Sequence, residues 1–227
     1  LAERVSTRRP KVVIAAFLVV MGWAAVGVSR LHVEIDFARR LPEGHIVRAD
    51  TARYRAAFAG ATSVDLYVDA GVANGALDPQ VLAALARWQD HAVQVPEVTR
   101  AVSAVDLFRL IAERLGMEVG PEGLPLTRDA MAQALVLFES GGGEDLDELL
   151  DFERRFLRAT AYLDTDAARR TWQIGERLAR EAREQIGPSA RVEVSGLTYL
   201  TGDWLDTMID GQKRGLAFAL VAIFAMM

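Results

Sequence analysis

Period-two alternation marks the first clear element of the chain. From Thr62 to Asp69 (TSVDLYVD), Val64, Leu66 and Val68 fall on one side with polar residues between them, the pattern of a strand with one buried face. The spacing then turns helical. Asp78 offers an N-cap and Pro79 a first-turn proline, and Val81, Leu82, Leu85 and Trp88 form an apolar stripe that predicts a helix to about Ala92, ended by Pro96. Val98 to Val102 reads as a second strand. The same order returns downstream: Phe156 to Asp164 (FLRATAYLD) alternates as a strand, and Thr165 and Asp166 are placed to cap a helix through Ile186. Its buried face carries Trp172, Leu178, Ala179, Ala182 and Ile186. Gly187 and Pro188 stop it, and Arg191 to Ser195 (RVEVS) gives a fourth strand.

Between the two halves, about 104–151, lies a helical insertion. It holds a helix from Val105 to Leu115, a stretch broken by Gly116, Gly120, Pro121, Gly123 and Pro125, a helix from Thr127 to Phe138, and the glycine run Gly141 to Gly143. Leu146, Leu149, Leu150 and Phe156 then sit at helical spacing opposite Glu144, Asp145, Asp147, Glu148 and Asp151. The order β-α-β, helical insertion, β-α-β predicts an α+β domain of the split βαβ, ferredoxin-like kind, with helices on one face of the sheet.

Two apolar runs flank this domain. Val12 to Ser29 (VVIAAFLVVMGWAAVGVS) carries no charge and as a helix extends about 27 Å, close to the hydrocarbon thickness of a bilayer. It exceeds a signal-peptide core and lacks a small-residue cleavage site, so it reads as a transmembrane helix. Arg4, Arg8, Arg9 and Lys11 precede it against the single acid Glu3, which places residues 1–11 in the cytoplasm and 30–214 outside. Residues 215–227 (GLAFALVAIFAMM) read as the start of a second transmembrane helix continuing past Met227, and the absence of a starting methionine suggests that both ends are cut. The expected fold class is therefore a membrane-anchored α+β porter-type domain flanked by transmembrane helices.

Composition narrows the function. The chain has 227 residues, is half apolar and has no cysteine, which excludes disulfides and thiol chemistry. Residues 30–214 hold 22 of the 26 basic and 30 of the 31 acidic side chains, a net charge of −8 that gives nucleic acid no basic surface. The acids from Glu144 to Asp151 lack the spacing of a calcium loop and read as a solvated helix face. Gly141 to Gly143 lack the Lys and Ser/Thr of a phosphate loop and read as a hinge. His32, His45 and His91 form no closely spaced pair, so no zinc site or general base is expected. Ser195-Gly196 has no nucleophile-elbow context. Trp88, Trp172 and Trp204 lie on apolar helix faces and read as packing, with the lining of a path for an apolar substrate as the sharper alternative. No enzyme activity, cofactor or metal is expected.

The segment after the first apolar run carries Ile35-Asp36, Leu41-Pro42-Glu43, a helix with Val47, Thr51, Tyr54 and Phe58 on one face, then Gly60 and the strand Val64 to Val68. These steps resemble the start of the periplasmic domain of the RND superfamily, particularly the MMPL-like predicted exporters. Ala59 departs from the family's Phe-Gly step. The return segment SGLTYLTGDWLDTMIDGQKR, with Leu200, Trp204, Leu205, Met208 and Ile209 apolar, is similar to the family's approach to its second membrane helix. The resemblance implies a fragment of a proton-driven exporter of lipidic or hydrophobic substrates in a bacterial cell membrane, with this domain serving admission or transit. The implied partners are the bilayer, the substrate and the remaining transmembrane helices of the same polypeptide; a homo-oligomer is compatible. The competing reading is the extracytoplasmic ligand-binding domain of a two-span sensor.

Overall fold

Alternation along four segments is converted into one antiparallel sheet. The computed structural model describes residues 41–58, 60, 62–141 and 146–226, together with Val19, Gly22, Trp23, Val26 and Gly27. The chain divides into two units, Leu1–Glu34 and Ile35–Met227. In the first, the five described residues are helical, and Val19, Trp23 and Val26 are exposed. The tail 1–11, the rest of the 12–29 run, His32, the Ile35-Asp36 pair, Ala59 and the stretch 142–145 lie outside the described residues.

In the second unit, β1 (Thr62–Asp69) and β3 (Phe156–Leu163) lie side by side, Thr62 opposite Leu163 and Asp69 opposite Phe156. β2 (Val98–Ser103) pairs with the outer side of β3, and β4 (Arg191–Ser195) with the outer side of β1. The order β2-β3-β1-β4, antiparallel throughout, makes β1 and β2 parallel across β3 and β3 and β4 parallel across β1. Two split βαβ units are thus interleaved.

Val64, Leu66 and Val68 of β1 and Leu157, Ala159, Ala161 and Leu163 of β3 are buried, forming one core with α2 (Pro79–Ala92) and α5 (Ala168–Ile186). Asp78 caps α2 by accepting from the Gln80 N–H at 2.9 Å, with Pro79 in the first turn. Trp88 is fully buried, and its indole N–H donates to the Leu178 carbonyl at 3.0 Å, so the large apolar ring leaves no orphan donor. The cap of α5 differs from the sequence expectation. The helix begins behind Ala167, which makes no side-chain cap bond, because the Asp166 carboxylate is drawn to Arg55 and to the Thr62 hydroxyl.

The insertion holds α3 (Ala104–Leu115) and α4 (Arg128–Ser140). Ser103 and Asp106 form a capping box at the start of α3. The Ser103 hydroxyl also donates to Gln89 Oε1 at 2.6 Å, tying α3 to α2. The helix expected around Leu146 to Asp151 is not formed by the described residues there. Leu146–Glu148 makes one 3-10 turn, Leu150 bridges to Leu157, and Asp151 Oδ1 accepts from the N–H groups of Arg155 (2.6 Å) and Phe156 (2.7 Å). An aspartate that binds nearby backbone donors favours a turn over a helix, and the first residues of β3, which β2 does not cover, supply the rest, the Arg158 N–H donating to the Leu149 carbonyl at 2.9 Å.

α1 (Ile46–Phe58) precedes the sheet, held by Arg55, which pairs with Asp164 and Asp166. After it comes Gly60, at φ +132°, where a Cβ would lie 2.5 Å from the Leu163 carbonyl oxygen; only glycine fits this step.

α6 (Leu197–Met226) is one uninterrupted helix of 30 residues. The membrane-anchored part of the expected fold class is corrected here. Among the described residues no helix is long and apolar enough to cross a membrane. The apolar residues 215–226 extend only about 18 Å against about 30 Å of hydrocarbon, and the helix before them carries Asp203, Asp206, Asp210, Lys213 and Arg214. Among the described residues of the second unit the observed class is α+β, a four-stranded antiparallel sheet with the helices α1 to α6.

Candidate ligand-binding surface

Strand alternation that buries Val64, Leu66 and Val68 turns Ser63, Asp65, Tyr67 and Asp69 to the other face of the sheet. Phe156, Arg158, Thr160 and Tyr162 of β3 stand beside them in register, and Arg191, Glu193 and Ser195 of β4 stand on the far side of β1. Asp65 is the buried centre of this face. It accepts from the Thr160 hydroxyl at 2.7 Å and from the Arg158 guanidinium at 3.1 Å, which makes its burial tolerable. On the same face Tyr67 and Phe156 remain 38% exposed.

Toward the Asp69 end the charge pattern tightens. Arg155 donates two hydrogen bonds to the Asp69 carboxylate, at 2.6 and 2.7 Å, and the Gly71 N–H adds a third at 2.8 Å. The Arg155 hydrogen bond is the main cause that pulls the Asp69 pKa from 3.8 to about 2. The same guanidinium lies 5.0 Å from the centre of the Phe156 ring. A cleft of about 340 Å³ opens beside this pair, bounded also by Ser189 and Arg191.

Two further clefts flank the core. One of about 440 Å³ lies between the start of α2 and the end of α5; there Arg87 is paired with Glu122 at 2.7 Å and Gln185 Oε1 is buried without a partner. The other, about 280 Å³, is lined by Leu135, Leu146 and Leu150 and by the Arg154–Glu139 pair.

The residues singled out from sequence are dispersed. His45 opens α1 and His91 lies late in α2, exposed, 3.8 Å from Glu181. Gly141 follows α4, and Ser195 lies opposite Asp65 on the β1–β4 ladder. Asp147 and Glu148 are exposed, whereas Asp151 is spent on the turn before β3. Among the described residues no cluster of three or more His, Cys, Asp or Glu is placed to hold a metal ion. Trp88 is core, Trp172 is partly buried against it, and Trp204 is 59% exposed.

Sequence reasoning missed Asp65, Asp69, Arg155, Arg158 and Arg191. They sit at the polar positions of strands, and only the register brings them together. Neither a family model nor a curated protein matches this chain. On this face the guanidinium groups of Arg155 and Arg158 are held by Asp69 and Asp65, and Arg155 lies against the ring of Phe156.

Proposed function

We propose that the chain is part of an RND-type exporter of the MMPL-like kind. Residues 30–214 then lie on the extracytoplasmic side of a bacterial cell membrane and serve admission or transit of a lipidic or other hydrophobic substrate, with proton coupling carried elsewhere in the same polypeptide. The observation that carries this reading is the aromatic stripe of α1. Tyr54 and Phe58 stack with ring centres 4.5 Å apart, Phe58 is 63% exposed, and Ile46 and Val47 are exposed on the same helix. A folded domain that leaves such a stripe in water has a use for it, and an apolar cargo is a surface that would cover it. Tyr54 and Phe58 are also among the residues that carry the resemblance to these exporters.

The test uses the full-length protein in lipid vesicles with a fluorescent lipid analogue. Transport should rise when a proton gradient is imposed and stop when a protonophore collapses it. The double variant Tyr54→Ala/Phe58→Ala should lower it about tenfold or more by removing apolar contact area. Transport indifferent to the gradient would sink the coupling, and full activity in the double variant would remove α1 from the substrate path.

A further inference from the structure

We propose that the cleft at the Asp69 end of the sheet binds the anionic head group, a carboxylate or a phosphate, of an amphiphilic substrate, with Arg191 and Ser189 holding the head and Phe156 and Tyr67 the start of the apolar chain. This rests on the reading above that the domain handles a hydrophobic substrate, and it adds the class of that substrate and the place where its polar end sits.

The register assembles the cleft. Asp69 on β1 stands opposite Phe156 on β3 and opposite Arg191 on β4, so one row across three strands brings an aromatic ring, a carboxylate and a guanidinium together. Arg155, one residue before β3, closes the row from the side. Of the residues lining the cleft, two are cationic and only Asp69 is anionic. The bidentate bond from Arg155 and the third bond from the Gly71 N–H occupy both Asp69 oxygens. A cationic ligand would have to displace Arg155 from a short, charge-assisted pair. An anion meets Arg191 and the Ser189 hydroxyl without breaking anything, and guanidinium suits carboxylate and phosphate geometry. The volume of about 340 Å³ is that of a small-molecule site and admits a head group. Beside it, Phe156 lies under the Arg155 guanidinium at 5.0 Å, and Tyr67 lies two residues from Asp69 on the same face, both partly exposed. An apolar chain leaving the head group therefore runs onto aromatic rings.

The probes are cis-parinaric acid, which carries a carboxylate and reports binding by its own fluorescence, and its neutral methyl ester, each titrated into the full-length protein in an uncharged detergent. The acid should bind about tenfold tighter than the ester, a difference of one charge-assisted contact. Arg191→Ala should abolish that preference. Asp69→Asn should increase it severalfold, because Arg155 then faces the cleft uncompensated. A residue that merely supports the fold would move both variants in the same direction. Inorganic phosphate that displaces the acid marks the head site as open to free anions, whereas phosphate without effect marks it as requiring the chain of a lipid; either result keeps the site. Equal affinity for acid and ester in the wild type, or a preference unchanged in Asp69→Asn, overturns the head-group site and leaves the hydrophobic-substrate reading standing. Failure of both probes to bind overturns both.

Discussion

Asp69 owes its chemistry to neighbours that are far away in the chain. Arg155 approaches from before β3 and Arg191 from β4, and the carboxylate between them is pulled from 3.8 to about 2, first by the Arg155 hydrogen bond. A carboxylate whose folded value is depressed adds stability that is complete above its unfolded value and lost as pH falls through the folded one. The Asp69–Arg155 pair should therefore help the fold above about pH 4 and cease to help as pH falls toward about 2. In Asp69→Asn, urea midpoints measured down this range should fall less steeply than in the wild type. Parallel curves for the two proteins would show that Asp69 does not titrate as described. Gly60 is a second residue whose identity is set from outside its own segment, by the Leu163 carbonyl on β3.

At the scale of elements, local pattern and final structure agree where a segment buries one face. The alternation of Thr62–Asp69 and Arg191–Ser195 and the stripe of α2 are strand, strand and helix as their periods require. They part company where side chains compete for the backbone, as at Asp151, and where a cap is taken by another element, as at Asp166. α1 is the instructive case. Its helical period was readable from Val47, Thr51, Tyr54 and Phe58, yet that face is largely exposed and the helix is tied to the sheet through Arg55. Arg55→Ala should raise amide hydrogen exchange in α1 about threefold to tenfold while β1 and β3 keep their protection, as measured by mass spectrometry on the full-length protein. Unchanged exchange in α1 would mean that other contacts hold it.

For the molecule as a whole, the packing of α6 on α5 joins the last element to the core. A Cβ at Gly202 would collide with the Ala168 carbonyl oxygen and with Trp172 Cβ. Nearby, the buried Tyr199 donates from its hydroxyl to Glu176 at 2.6 Å, and Leu205 is buried. Gly202→Ala should force the helices apart and cost about 1 to 3 kcal/mol in urea unfolding, as overpacking of a close contact does. A change below about 0.5 kcal/mol would show that the crossing relaxes freely. The sequence by itself determined the four strands, the helices that pack on them, and the absence of cysteine chemistry, because these depend on local period and composition. Only the tertiary structure decided three things. It set the strand register that brings Asp65, Asp69, Arg155, Arg158 and Arg191 onto one face, and it left the aromatic stripe of α1 in solvent. It also joined residues 215–226 and the charged turns before them into one continuous helix. Pairing, exposure and helix continuity depend on what lies opposite each residue in space, and spacing along a chain does not record that.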